Sequence, residues 1–252
     1  MLALDLAMAL DPVLFAGDAL GFNPDPSQMQ VLRWTGKRLL LNCSRQWGKS
    51  TTTSILAVHE AVYRPNSLIL LVSPSQRQSS ELFRKVSGFM ERLPQKPELL
   101  EDNRLALRLQ NGSRIVTLPS NEATVRGYSG ATLIIEDEAS RVDDQLYRGM
   151  RPMLAVSEGR LVLMSTPHGM RGHFWEEWDS GGKVWERVSV KATDCPRISK
   201  SFLDEERQSQ GDRSYRQEYM CEFMDAADQV FSHQLVRNAI SADVKPLFGR
   251  GK

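Results

Sequence analysis

The feature that most restricts this chain is the segment LLLNCSRQWGKST, residues 39–51. An apolar run ends at Cys43, a short polar turn follows, and Gly48, Lys49 and Ser50 open a stretch with helical spacing that continues to Tyr63. A strand that passes through a tight turn into a helix N-terminus presents main-chain N–H groups to one point, and such a point wraps phosphate oxygens. In that reading Lys49 meets the β- and γ-phosphates and Ser50 holds Mg²⁺. Cys43 stands where the pattern Gly-x-x-x-x-Gly-Lys-Ser/Thr has its first glycine, and the plain alternative for a bare Gly-Lys-Ser is a solvated helix start.

The rest of the pattern agrees with a strand-helix alternation. Strands are predicted at Arg38–Cys43, Ser67–Ser73, Leu105–Leu109, Arg114–Leu118, Thr132–Glu138, Arg160–Ser165 and Trp185–Val190. Several, such as LILLV and LVLM, are apolar on both faces, which suits a parallel sheet covered by helices. Helices are predicted at Lys49–Tyr63, Gln76–Leu93, Asp143–Ala155, Ser199–Gln210 and Asp212–Phe223. Asn111-Gly112 joins two strands as a hairpin set into the otherwise parallel sheet. At 252 residues the chain is expected to form an α/β core over residues 1–195, a helical lid or linker over 196–240 and a tail over 241–252.

A second acidic signal follows. Thr132 to Ala139, TLIIEDEA, is a hydrophobic strand that ends in carboxylates, at the sheet edge where a doubly wound fold keeps its active site. There Asp137 would bind Mg²⁺ and Glu138 would act as general base toward the attacking water. The next apolar strand ends in Ser165, Thr166 and Pro167; the two hydroxyls read either as a γ-phosphate sensor, which the strand's place beside the acidic one favours, or as Ser and Thr capping of a strand-to-loop turn. Phosphoryl transfer also needs cations: Arg45 lies inside the loop, and Arg126, in EATVRGYSG, precedes the acidic strand beside a glycine.

Composition excludes other classes. Hydrophobic residues make up 41% and charged residues 25%, so the chain is neither fibrous nor disordered. Lys and Arg number 32 against 31 Asp and Glu, a net +1 that announces no nucleic-acid partner by bulk charge. The three cysteines have no C-x-x-C spacing, which supports neither a disulfide framework nor a zinc site and points to a reducing, cytosolic setting. No apolar stretch approaches the roughly 18 residues of a membrane span. The four histidines read as solvated or packed imidazoles and the five tryptophans as packing.

Together these segments resemble the ATPase domain of the large terminase subunits of tailed bacteriophages and their prophages. The likeness rests on Arg45-Gln46-x-Gly48-Lys49-Ser50, VSPSQRQSSELF, Arg126-Gly127, Asp137-Glu138-Ala139, STPHG followed by Gly172, Phe174 and Trp175, and YRQEYMCEF at 215–223. Family loops commonly replace the leading glycine, so Cys43 fits. The resemblance implies a P-loop NTPase of the RecA-like class with an additional catalytic glutamate, and a mostly parallel sheet. It implies ATP and Mg²⁺ as ligands, held by Ser44, Arg45, Gln46, Trp47, Gly48, Lys49, Ser50 and Thr51, with Ser50 and Asp137 on the metal. Glu138 would activate water, Thr166 lies in the coupling motif, and Gln28 in DPSQMQ would read adenine, although Gln30 is close. Arg126 would reach a neighbouring subunit's site, while Arg45 acts within its own. The implied setting is the bacterial host cytoplasm, beside the procapsid. The partners are double-stranded DNA, a portal protein, a small terminase subunit and further copies in a ring, a pentamer by resemblance. The family's nuclease domain is not expected in this chain. A helicase-like translocase and a nucleotide-gated binding module without turnover are the alternatives.

Overall fold

The computed structural model describes residues 2–118, 127–225 and 233–239. Among the described residues eight strands form one sheet: β1 (Arg38–Cys43), β2 (Leu68–Val72), β3 (Leu99–Asp102), β4 (Ala106–Leu109), β5 (Arg114–Leu118), β6 (Leu133–Asp137), β7 (Arg160–Ser165) and β8 (Glu186–Val190). Their order is β3-β4-β5-β2-β6-β7-β1-β8. From β5 to β8 every pair is parallel, and β3-β4 and β4-β5 are antiparallel. The helices are α1 (Leu2–Leu10), α2 (Pro26–Leu32), α3 (Lys49–Tyr63), α4 (Gln76–Arg92), α5 (Asp144–Met150), α6 (Gly172–Ser180), α7 (Lys200–Glu218) and α8 (His233–Ala239), with a further helical turn and a π turn between Pro12 and Ala19.

The period-2 alternation of the buried strands divides the core into two layers. Leu39, Leu41, Ile69, Leu71, Leu133, Ile135, Val162 and Met164 face α3 and α4, against Ile55, Val58, Leu82 and Val86. Leu40, Leu70, Ile134, Leu161 and Leu163 face the other way, against Leu146, Tyr147 and Met150 of α5 and Phe174 of α6. Each fully buried leucine contributes about 1.5–3 kcal/mol by removal from water. Because β1, β6 and β7 run parallel, with β7 between the other two, Cys43, Asp137 and Ser165 all finish at one rim of the sheet.

All seven predicted strands are present, their ends within one residue of expectation, and the Asn111-Gly112 hairpin joins β4 to β5. Helices α2, α6 and α8 lie outside the predicted list, and four further features differ. The edge strand β3 is short and largely exposed; it exists by pairing with β4 and carries no apolar alternation. Helix α1 exposes Leu2, Leu6 and Leu10 and is not among the predicted elements. The stretch expected as one helix over 143–155 is α5 followed by a 3₁₀ turn, Arg151–Leu154, where Pro152 lacks the N–H that an α-helix requires. The two helices expected over 199–223 run as α7 with a break at Gly211, whose φ of 78° is left-handed, and the second part ends at Glu218. Within the described residues no helix is long and apolar enough to cross a membrane.

Candidate active site

The loop after β1 is built by its neighbours. Trp47 is fully buried and anchors the turn from below, so its own contribution to the rim is main-chain. Its carbonyl accepts from Gln28 Nε2 at 3.0 Å and from Arg197 at 2.6 Å. Gly48 follows with φ 101°, and a Cβ there would lie 2.9 Å from Gln28 Nε2; the backbone angle and the close approach both favour glycine. As N-cap of α3, Gly48 supplies no side chain to the first turn. Those N–H groups are therefore left for a ligand. Lys49 is nearly buried, its Nζ donating to the carbonyls of Cys43 at 2.9 Å and Ser44 at 3.1 Å. Ser44 itself is fully buried and contributes this carbonyl.

Gln46, Lys49, Ser50 and Thr51 line a cavity of about 630 Å³ that also receives Gln28, Arg45, Gln78, Glu138, Arg141 and Arg197. Gln28 is almost fully buried, and its side-chain oxygen closes a capping box on Asp25 at the start of α2. Gln30 is exposed and lies outside the cavity.

Asp137 comes from the end of β6 and approaches Ser50 Oγ at 3.4 Å. Burial, and next the charge of Glu138, push its carboxyl up to about 6. A desolvated carboxylate beside a hydroxyl suits a divalent cation. Among the described residues no three His, Cys, Asp or Glu side chains converge as a metal-ligating group. The donor set is thus that of an ion held by one carboxylate, one hydroxyl, water and substrate phosphate oxygens, the habit of Mg²⁺.

Glu138 turns the chain out of the strand with φ 53° and ψ 40°, a left-handed conformation rare for a long side chain. Its carboxylate accepts from Arg141 at 2.9 Å. Arg141 reaches on to Glu218 of α7 at 3.3 Å, and Glu218 in turn accepts from Arg45 Nε at 2.8 Å. Burial opposes the charge on Glu218, but hydrogen bonding and attraction from Arg45, attraction from Arg141 and a hydrogen bond from Thr166 hold its carboxyl below the usual range. Ser140 bridges the acidic turn to the end of β7, with its hydroxyl 2.7 Å from Ser165 Oγ and donating to the Thr166 carbonyl at 2.8 Å.

The structure therefore gathers Gln28, Arg45, Gln46, Lys49, Ser50, Thr51, Asp137 and Glu138 at one rim, with Thr166 linked through Glu218. Arg126 lies outside the described residues. Arg141, Glu218 and Arg197 join the site without a sequence signal strong enough to single them out. Arg141 is legible only as an i+3 partner of Glu138, and Glu218 sits inside YRQEYMCEF without any local mark of its role. His173 is a packed imidazole, as expected, and its partners are what the sequence does not show. It is buried on α6, with Nε2 2.7 Å from Glu136 and Nδ1 2.9 Å from Asp144, contacts 37 and 29 positions away that no local spacing reveals.

A profile of the family "Terminase large subunit, T4likevirus-type, N-terminal" matches residues 40–237. The chain is 29% identical over 250 residues to the "Terminase, large subunit" of Thermus phage G20c, covering 85% of this chain and 52% of that protein. It spans about half the length of such relatives. Among solved structures it superposes on the large terminase ATPase domain of Thermus phage P74-26 with a TM-score of 0.71 at 24% identity, covering 82% of this chain and 97% of that one. The large terminase of a thermophilic bacteriophage, solved in complex with ADP, gives 0.67 at 12% identity, covering 79% and 53%. These likenesses agree with the P-loop NTPase fold described above. From the profile match across most of its length, the chain belongs to the terminase large subunit family.

Proposed function

We propose that this chain hydrolyses ATP in a Mg²⁺-dependent reaction, and that in the whole protein this drives double-stranded DNA into a procapsid. The observation that carries the reading is the convergence of Lys49, Ser50, Asp137 and Glu138 at the strand ends around one cavity. The triphosphate would lie on the uncapped N–H groups of α3, with Lys49 turning from the Cys43 and Ser44 carbonyls to its terminal oxygens. Gln28, the buried glutamine of the cavity wall, would read the adenine. Mg²⁺, when bound between Ser50, Asp137 and the phosphates, would neutralise charge that develops in the transferring phosphoryl group.

Glu138 then takes a proton from the water whose oxygen attacks the γ-phosphorus; the bond from that phosphorus to the bridging oxygen breaks, leaving ADP and phosphate. For this the carboxylate has to exchange its Arg141 partner for water. Arg45, now on Glu218, is within the same cavity and available to the γ-phosphate. Arg126 is proposed to act on the site of an adjacent copy in a ring, with a portal protein and a small terminase subunit completing the motor in the host cytoplasm. The thermophilic phage terminase solved with ADP supports a nucleotide in this fold.

The test is phosphate release by purified protein with ATP and Mg²⁺. Glu138→Gln is expected to lower turnover on the order of 10²–10⁴-fold with nucleotide still bound. Mixing Glu138→Gln with Arg126→Ala protein is expected to recover part of the activity. Mixtures no better than either parent would remove the trans arginine, and an absence of phosphate release at every protein concentration, with DNA added, would remove hydrolysis.

A further inference from the structure

The segment from Glu136 to Asp144 carries the proposed base Glu138 in its left-handed turn and the Arg141 that pairs with it. Both of its ends meet the same imidazole. At one end Glu136, fully buried on the face of β6 opposite Asp137, holds His173 Nε2 at 2.7 Å. At the other, Asp144 at the start of α5 holds His173 Nδ1 at 2.9 Å and its main-chain N–H at 2.8 Å through the same oxygen. The ring stacks flat on Tyr147 at 4.2 Å, 8° from parallel, which fixes its plane. His173 also opens α6 directly after the 166–171 loop, which begins at Thr166.

We infer that His173 is a positioning residue: a single buried imidazole that staples both ends of the 136–144 segment, and so fixes where Glu138 points. Each ring nitrogen stands within hydrogen-bond distance of a carboxyl oxygen from a different end, so one ring holds both ends at once. The groups around the ring are Glu136 from β6, Asp144, Tyr147 and the nearby Arg148 from α5, Arg151 at 5.6 Å over the Tyr147 ring, and Glu177, which accepts from the Tyr147 hydroxyl at 2.6 Å. Burial alone would discharge the imidazole, but attraction and hydrogen bonding to Glu136, then to Asp144, raise its pKa above the ordinary histidine value. Glu136 Oε2 has no partner among the described residues, so His173 is the only group hydrogen-bonded to that carboxylate in the described structure.

The inference rests on the proposed hydrolysis for one of its two readouts and is independent of it for the other. The reporters are the amides of Arg141 and Val142, which close the turn onto Glu138 and Ala139 at 2.8 and 3.3 Å. In His173→Gln protein, and in Asp144→Ala protein that cuts only the half-exposed end, hydrogen exchange at these amides is expected to accelerate about tenfold, while β1 and β2 keep their protection. Turnover is expected to fall about tenfold with KM for ATP within about twofold, because the bound substrate is held by other residues and only the base is misplaced. The wild-type advantage in turnover is expected to shrink as pH rises and the imidazole loses its second proton, and the variant's own profile to lack that alkaline limb. Unchanged exchange at Arg141 and Val142 in both variants would overturn the staple. So would acceleration shared equally with β1 and β2, which would mean general loosening. If wild-type protein releases no phosphate, the hydrolysis reading fails, and the staple stands or falls on exchange alone.

Discussion

Glu136 and Asp137 are consecutive carboxylates on one strand, and the two faces of the sheet treat them oppositely. Asp137 faces the α3 side, where burial pushes it up to about 6 and the Ser50 hydroxyl stands at 3.4 Å. It is desolvated, with the Glu138 N–H donating to one oxygen at 3.0 Å and the Ser50 hydroxyl to the other. Glu136 faces the α5 and α6 side, with no exposure at all, and meets the His173 ring at 2.7 Å. The pleat of a β-strand thus separates chemistry from support by a single residue.

That contrast is sharpest in paired substitutions. Asp137→Asn is expected to reduce phosphate release on the order of 10³-fold while the thermal midpoint holds or rises, since a desolvated charge has been removed. Glu136→Gln removes the buried carboxyl that holds His173 Nε2, and calorimetry or denaturant titration is expected to show a loss of about 3 kcal/mol. Its turnover is expected to drop only about tenfold, as for His173→Gln. Equal turnover losses with equal midpoints would erase the distinction between the two faces. Next in size, Gln28→Ala is expected to raise KM for ATP about tenfold, roughly one lost hydrogen-bonding site, and to narrow the preference for ATP over GTP in competition assays.

The smallest effect is in stability against pH. His173 has a folded pKa above its unfolded one, so its contribution is complete below the unfolded value and is lost as pH rises through the folded value. Thermal midpoints measured from about pH 6 to about pH 9 are expected to fall more for the wild-type chain than for His173→Gln. Parallel curves would mean that the ring is already neutral.

What could be read beforehand follows from how local each signal is. The strands β1, β2, β6 and β7 announce themselves because a strand buried on both faces must be largely apolar, and the phosphate loop because Gly48-Lys49-Ser50 follows such a strand directly. Asp137 and Glu138 are visible for the same reason, as carboxylates that interrupt a hydrophobic run. Strand β3 has no such mark: its residues are mostly exposed, and only the neighbouring hairpin makes it a strand. Trp47 reads from sequence as a loop residue, whereas its side chain is a foundation under the loop. Glu218 and His173 owe their importance to contacts between distant segments, and a single sequence holds no trace of them, whereas Arg141 shows only as an i+3 partner of Glu138. The lid and tail boundaries at 196 and 241 rest on pattern alone, and Arg126 falls outside the described residues.

The backbone at Glu138 has an evolutionary corollary. A φ of 53° is tolerated by glycine and asparagine and costs a glutamate about 1 kcal/mol. A library of variants selected for heat resistance alone is therefore expected to accumulate glycine at 138, gaining in melting temperature while losing turnover. Stability selection and activity selection would pull this one codon in opposite directions, and the residue that survives in the natural chain records which of them prevailed.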